Sequence, residues 1–132
     1  MRVTVHVDGG SRGNPGPAAA GAVITSDSGE VLDRAGELLG EATNNVAEYH
    51  GLLLGIARAR ELGATEVEIF NDSELVAHQV NGRYKVKHAD MKPLHAEALA
   101  ALAGFDAWSL TPVRREQNAE ADAIVNETLD AA

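Results

Sequence analysis

Cysteine is absent from this 132-residue chain, which excludes disulfides and thiolate metal sites. No apolar run reaches the roughly 18 residues that a membrane-spanning helix needs. The opening MRVTVHVDGG is strand-patterned and lacks the features of a secretory signal, so a cytoplasmic protein with no membrane partner is expected. Positive charge is scarce: 11 Lys and Arg stand against 20 Asp and Glu, for a net charge of −9. That balance argues against bulk electrostatic binding to nucleic acid. The five histidines, at positions 6, 50, 78, 88 and 95, show no zinc-ligand spacing. The Gly-rich stretch GGSRGNPGP is followed by no Gly-Lys-Ser/Thr, so it is not a P-loop. The one tryptophan, Trp108, alternates within a strand pattern and reads as core rather than as a base-stacking platform.

What is present is enough for one real core. Apolar residues make up 45% of the chain, and the length is that of a single domain, residues 1–132. Residues 2–8 alternate, with Val3, Val5 and Val7 on one face and Thr4, His6 and Asp8 on the other, which predicts a strand. Residues 9–17 are expected to form a loop. Strands follow over 18–25 and 30–38, separated by a turn at 26–29. Thr43 or Asn44 opens a helix whose apolar stripe runs through Leu52, Leu53, Ile56, Ala57 and Leu62, with Gly63 ending it. Next come a strand over 65–72, a short helix over 73–80, and a basic loop over 81–93. A helix over 94–104, a strand over 106–113 and a final helix carrying Asp122, Val125 and Leu129 complete the chain. A β-β-β-α-β-α-α-β-α order predicts an α/β fold with a mixed sheet and helices on its faces.

Within that frame four acids stand out. Asp8 and Asp72 end apolar strand patterns, and Glu48 and Asp122 fall on the apolar stripes of helices. Four acids converging on a core would repel one another and bear a heavy desolvation cost. Hard divalent cations resolve the conflict, and carboxylate-held Mg²⁺ is the usual partner of phosphates. The pattern points to metal-dependent cleavage of phosphodiesters. Two bound cations would also offset four of the net negative charges. Further positive charge is clustered in Arg83, Lys85, Lys87 and Lys92.

The motifs VDGGSRGNPGPAAAGAV, TNNVAEYHGLLLGI, FNDSELV, NGRYKVKH and RREQNAEADAIVN, in this order and spacing, make the chain resemble type 1 ribonucleases H over essentially its whole length. The resemblance implies a ribonuclease H-like fold, with a five-stranded sheet made of an antiparallel meander plus two parallel strands. It implies an endoribonuclease that cuts the RNA strand of RNA–DNA hybrids and leaves 5′-phosphate and 3′-hydroxyl ends. The implied cofactors are two Mg²⁺ ions, with Mn²⁺ an alternative, held by Asp8, Glu48, Asp72 and Asp122. Asp8, on a rigid strand, is the natural bridge between the metals.

For the substrate, the resemblance points to Gly9, Gly10 and Ser11, with Asn14, Asn44 and Glu48, near the RNA minor groove, where a 2′-hydroxyl tells RNA from DNA. Thr43 and Asn45 are candidates for a DNA phosphate at a helix start, and Gln79 for a groove contact. Plainer roles stand beside these: Asn44 and Asn45 as helix caps, Gln79 as a helix surface residue, and 81–93 as a solvated loop. Larger members carry a His between the last strand and the last helix. Here Val113 to Ala121 has none, and Glu116 and Asn118 are the nearby polar groups. A monomer is expected. In some actinobacterial members such a domain precedes a fused phosphatase-like domain, and the ending NETLDAA fits a domain cut from such a chain. The rival readings are another nuclease of the superfamily, a catalytically idle hybrid-binding module, and a scaffold domain.

Overall fold

A computed structural model describes all 132 residues. Strands β1 (Arg2–Ser11), β2 (Gly16–Ser26) and β3 (Val31–Ala42) form an antiparallel meander. Helix α1 (Asn44–Glu61) leads to β4 (Glu66–Asn71), α2 (Glu74–Val80), α3 (Lys92–Leu102) and β5 (Ala107–Pro112). A one-turn 3₁₀ helix, Arg115–Asn118, runs into α4 (Ala119–Asp130). The five strands lie in the order β3-β2-β1-β4-β5, with β4 parallel to both β1 and β5. This is the expected mixed sheet.

The alternation of β1 decides how the layers pack. Val3, Val5 and Val7 are fully buried and meet α1 in the main core, together with Leu52, Ile56, Ile69 and Leu102. A smaller cluster of Ala19, Val125 and Leu129 seats α4 on the sheet. Along α1 the buried stripe is shifted from the expected one. Ala47, Leu52, Ile56 and Ala59 are buried, whereas Ala57 and Leu62 are exposed. Small residues face the sheet because the helix lies unusually close to it. A Cβ added to Gly51 would overlap the Asp8 carbonyl, and one added to Gly9 would overlap the Ala47 carbonyl. Only glycine permits that approach.

The largest departure from the expected elements is at residues 9–17. Most of this stretch is strand, not loop: Gly9, Gly10 and Ser11 pair with Ala20, Ala19 and Ala18. Local propensity favours a loop there, but long-range pairing with the small residues of β2 overrides it. Asp8 therefore does not end β1. It lies one residue beyond the last β1–β4 pair, Val7 with Asn71. That is the carboxyl end of the parallel part of the sheet, where α/β folds form ligand crevices. Strand β3 likewise runs on to Ala42, with an irregularity where Ala18 pairs with Gly40 and Ala19 with Leu38.

Candidate active site

The parallel pairing of β1 with β4 stops at an acid on each strand, at the same level. Asp8 follows Val7, the last β1 residue paired with β4, and Asp72 follows Asn71 at the end of β4. The close approach of α1 brings Glu48 over the same spot. Carboxylate oxygens of Asp8, Glu48 and Asp72 lie within 4.8 Å of one another. Asp122, half-buried on α4, stands outside that trio but lines the same cavity of about 440 Å³. Gly9, Gly10, Ser11, Asn44 and Asn45 also line it.

Each acid has a fixed mount. The Gly9 backbone N–H donates to Glu48 Oε1 at 2.6 Å, tying strand to helix at the site. Ser73 caps α2 through its hydroxyl, and its N–H donates to Asn71 Oδ1 at 2.8 Å, which sets the turn holding Asp72. Asn118 is fully buried and donates to the Val7 carbonyl at 2.8 Å, pinning the start of α4 beside β1. Asn126 donates to the Asp122 carbonyl at 3.2 Å, with its amide nitrogen 3.5 Å from Oδ2.

The electrostatics are unbalanced. Asp8 is 5% exposed and Glu48 9%. Burial pushes the Asp8 carboxyl well above the ordinary carboxylate range, and the nearby Asp72 charge raises it further. Glu48 is also raised, again first by burial and then by Asp8 and Asp72. Asp72 Oδ1 is buried without a hydrogen-bond partner, and an unmet buried acceptor carries a real cost. Three carboxylates with an unmatched oxygen, and no sulfur or imidazole among them, make a donor set suited to a hard divalent cation.

The structure places the other expected residues unevenly. Ser11, Asn14 and Asn44 form one unit: Asn44 Oδ1 accepts from the Ser11 N–H at 2.9 Å, and the Asn44 N–H donates to Asn14 Oδ1 at 3.1 Å. The turn between β1 and β2 is thus locked to the start of α1. Thr43 caps α1, its hydroxyl accepting from the Val46 N–H at 3.3 Å. Asn45 is exposed on the rim. Gln79 lies away from the cavity. It is 3% exposed, and its Oε1 accepts from the Tyr49 hydroxyl at 2.5 Å. It faces inward because α2 packs on the core through Val76, Ala77 and Val80.

Three polar cavity residues escaped sequence reasoning, Arg12, Arg115 and Asn126. Attention to the missing histidine singled out Glu116 and Asn118. Yet Asn118 is a buried brace, and Glu116 lines a separate cleft with His6 and Glu120. The available signal was the RREQN run itself, which places Arg115 seven residues before Asp122. In the basic stretch, Tyr84 is exposed and leans on His78, with ring centroids 4.8 Å apart.

Comparison with known proteins agrees with this geometry. A family profile described as "Reverse transcriptase-like" matches residues 6–128. Ribonuclease HI of Halobacterium salinarum is 43% identical over 99% of this chain and 66% of its own length. The crystal structure of RNase H1 from that archaeon superposes with a TM-score of 0.98 at 42% identity, covering 100% of both chains. A bifunctional protein of Mycobacterium tuberculosis is 47% identical over 100% of this chain but only 36% of its own length. The chain therefore spans about a third of that mycobacterial relative. LC11-RNase H1, solved in complex with RNA/DNA hybrid, has a TM-score of 0.93 at 38% identity, covering 98% of this chain and 97% of its own. No helix is long and apolar enough to cross a membrane. Fold, full-length similarity and the acid cluster at the end of the parallel pairing agree: the chain belongs to the type 1 ribonuclease H family.

Proposed function

We propose that this chain is an endoribonuclease that hydrolyses the RNA strand of RNA–DNA hybrids and leaves 5′-phosphate and 3′-hydroxyl ends. One observation carries the reading. The carboxylates of Asp8 and Glu48, both buried, and of half-buried Asp72 gather within 4.8 Å, none of them ion-paired within the protein, beside the backbone of Gly9, Gly10 and Ser11. LC11-RNase H1, a relative whose structure holds such a hybrid, supports the substrate class.

Asp8, Glu48, Asp72 and Asp122 are the residues that would hold Mg²⁺, or Mn²⁺ in its place. Asp8 is the one placed to be shared, because it lies between Glu48 on the helix side and Asp72 on the neighbouring strand. When bound, two such ions would supply an activated water on one side of the scissile phosphate and charge stabilisation for the leaving 3′-oxygen on the other. The chain's own part is positioning. Backbone groups of Gly9 to Ser11, with Asn14 and Asn44, present a preformed surface to the RNA minor groove, where the 2′-hydroxyl is the discriminating group. Thr43 and Asn45, at the N-terminus of the 18-residue helix α1, offer N–H groups and partial positive charge to a phosphate of the DNA strand. All four acids come from one chain, so a single copy carries the whole set; our reading is one domain over residues 1–132, acting as a monomer, with the cytoplasm as the expected compartment. A longer gene product with a C-terminal phosphatase-like domain fits the greater length of the mycobacterial relative.

Cleavage of an end-labelled RNA–DNA hybrid with Mg²⁺, with Mn²⁺ or with EDTA, beside duplex DNA and duplex RNA, tests the reading. Metal-dependent cutting of the hybrid's RNA strand alone is expected. A folded protein that binds hybrid but cuts nothing with either metal would instead be a binding module.

A further inference from the structure

The cavity that holds the four acids has two cations in its wall, Arg12 and Arg115, and they differ in one respect. Arg12 is committed: its guanidinium pairs with Asp130 at 2.7 Å and reaches the Asn126 carbonyl at 3.4 Å. Arg115 makes no ion pair, and its side chain makes no hydrogen bond. An exposed arginine beside several carboxylates would ordinarily close on one of them, so an uncommitted one at this place calls for a partner.

Its mount is short and firm. Two residues, Val113 and Arg114, separate β5 from the 3₁₀ helix that carries Arg115. The Val113 N–H donates to the Asn71 carbonyl at 2.9 Å, so the segment is tied to the residue just before Asp72. The Arg114 N–H donates to Gln117 Oε1 at 3.2 Å, and Asn118 is anchored to Val7. Arg115 also stands where two clefts meet. It lines the acid cavity and, with Asp72, Arg114 and Gln117, an adjoining cleft of about 540 Å³. An anionic chain led to the acids through that junction must pass the guanidinium.

We propose that Arg115 grips a phosphate of the RNA strand at the acid-lined cavity, its planar fork donating to the non-bridging oxygens. This rests on the hybrid-cleaving reading above and adds a substrate contact to it. A phosphate entering a cavity walled by carboxylates is repelled unless cations meet it, and a guanidinium matches two phosphate oxygens at once. The contact also gives the 113–121 segment, which has no histidine, a functional group of its own.

The test separates binding from rate. Hybrid affinity is measured against salt concentration for Asp8→Asn, used as a non-cleaving background, and for Asp8→Asn with Arg115→Ala. Single-turnover cleavage is measured for the wild type, Arg115→Ala and Arg115→Lys. Loss of one phosphate contact is expected to lower the log K against log[salt] slope by about 1. The cleavage rate of Arg115→Ala is expected to fall by about 10- to 100-fold. Arg115→Lys should keep the slope and recover only part of the rate, because an ammonium supplies charge without the fork. Thermal melting of the variants should match their parents, since the side chain has no partner to lose. An unchanged slope overturns the proposal whether or not the rate falls, because a rate effect alone would mark a structural role. A wild type that cuts no hybrid would overturn the reading beneath it, while the salt slopes would still judge the contact.

Discussion

The two ends of α1 treat acids in opposite ways. Near its C-terminal end, Asp33 of β3 meets Arg58 through two hydrogen bonds of 2.6 and 3.1 Å, and the guanidinium holds the Asp33 carboxyl below the ordinary range. Near its N-terminal end, Glu48 meets Asp8 and Asp72 with no cation between them, and burial and mutual repulsion push Glu48 and Asp8 up. One helix thus carries a satisfied acid site and a frustrated one. The satisfied pair needs nothing from solution. The frustrated cluster is tolerable only if protons or an external cation supply the missing charge, and that dependence turns a packing problem into a binding site.

The largest expected effect breaks the frustrated end. Glu48→Gln removes an oxygen proposed to hold metal and should lower hybrid cleavage by about a thousandfold, the loss of several kcal/mol of charge stabilisation. Kinetics with saturating Mg²⁺ read it. By contrast, Asp33→Asn at the other end should leave cleavage within about twofold, because a half-buried pair at the surface contributes on the order of 1 kcal/mol, and to stability alone. A Cβ at Gly51 attacks the geometry rather than the charge. Gly51→Ala drives α1 off the Asp8 carbonyl, and overpacking of this kind costs about 1–3 kcal/mol. Denaturant melts should show that loss, and cleavage should fall as well because Glu48 moves with the helix.

Acid and base should pull the two ends apart. Asp8 and Glu48 titrate above their unfolded values. In EDTA, their contribution therefore favours the native state below about pH 4, the unfolded carboxylate value. It is lost progressively as pH rises through the raised native values. Mg²⁺ should remove most of that decline. Asp33 titrates below its unfolded value, so its contribution is present above about pH 4 and is lost as pH falls through the lowered native value. Melting curves of the wild type, Glu48→Gln and Asp33→Asn across pH, with and without Mg²⁺, separate these. Glu48→Gln should flatten the metal-free decline, and Asp33→Asn should give the smallest change, a shallower loss of stability in acid.

Much of this comparison was legible in the chain. The alternation of residues 2–8 and the helix pattern after Thr43 placed Asp8 and Glu48 on elements that meet, and the motifs pointed to all four acids as one set. What stayed hidden depends on contacts far apart in sequence. Gly9 to Ser11 read as loop because their pairing with Ala18 to Ala20 is a property of the sheet. Gln79 read as a groove or surface residue because only the fold sets the Tyr49 hydroxyl against it. Ala57 and Leu62 read as core because the glycines that draw α1 onto β1 also turn its buried stripe toward small residues. Arg115 went unnoticed because an unpaired arginine is meaningful only once its cavity is known.

Cleavage of an end-labelled hybrid by Asp8→Asn, at protein concentrations where hybrid binding has been verified, tests most directly whether the frustrated cluster is the catalytic centre. The account predicts bound but uncut RNA with either Mg²⁺ or Mn²⁺. Cleavage near the wild-type rate by the folded variant would contradict it, and would make the three gathered carboxylates a structural feature of the fold.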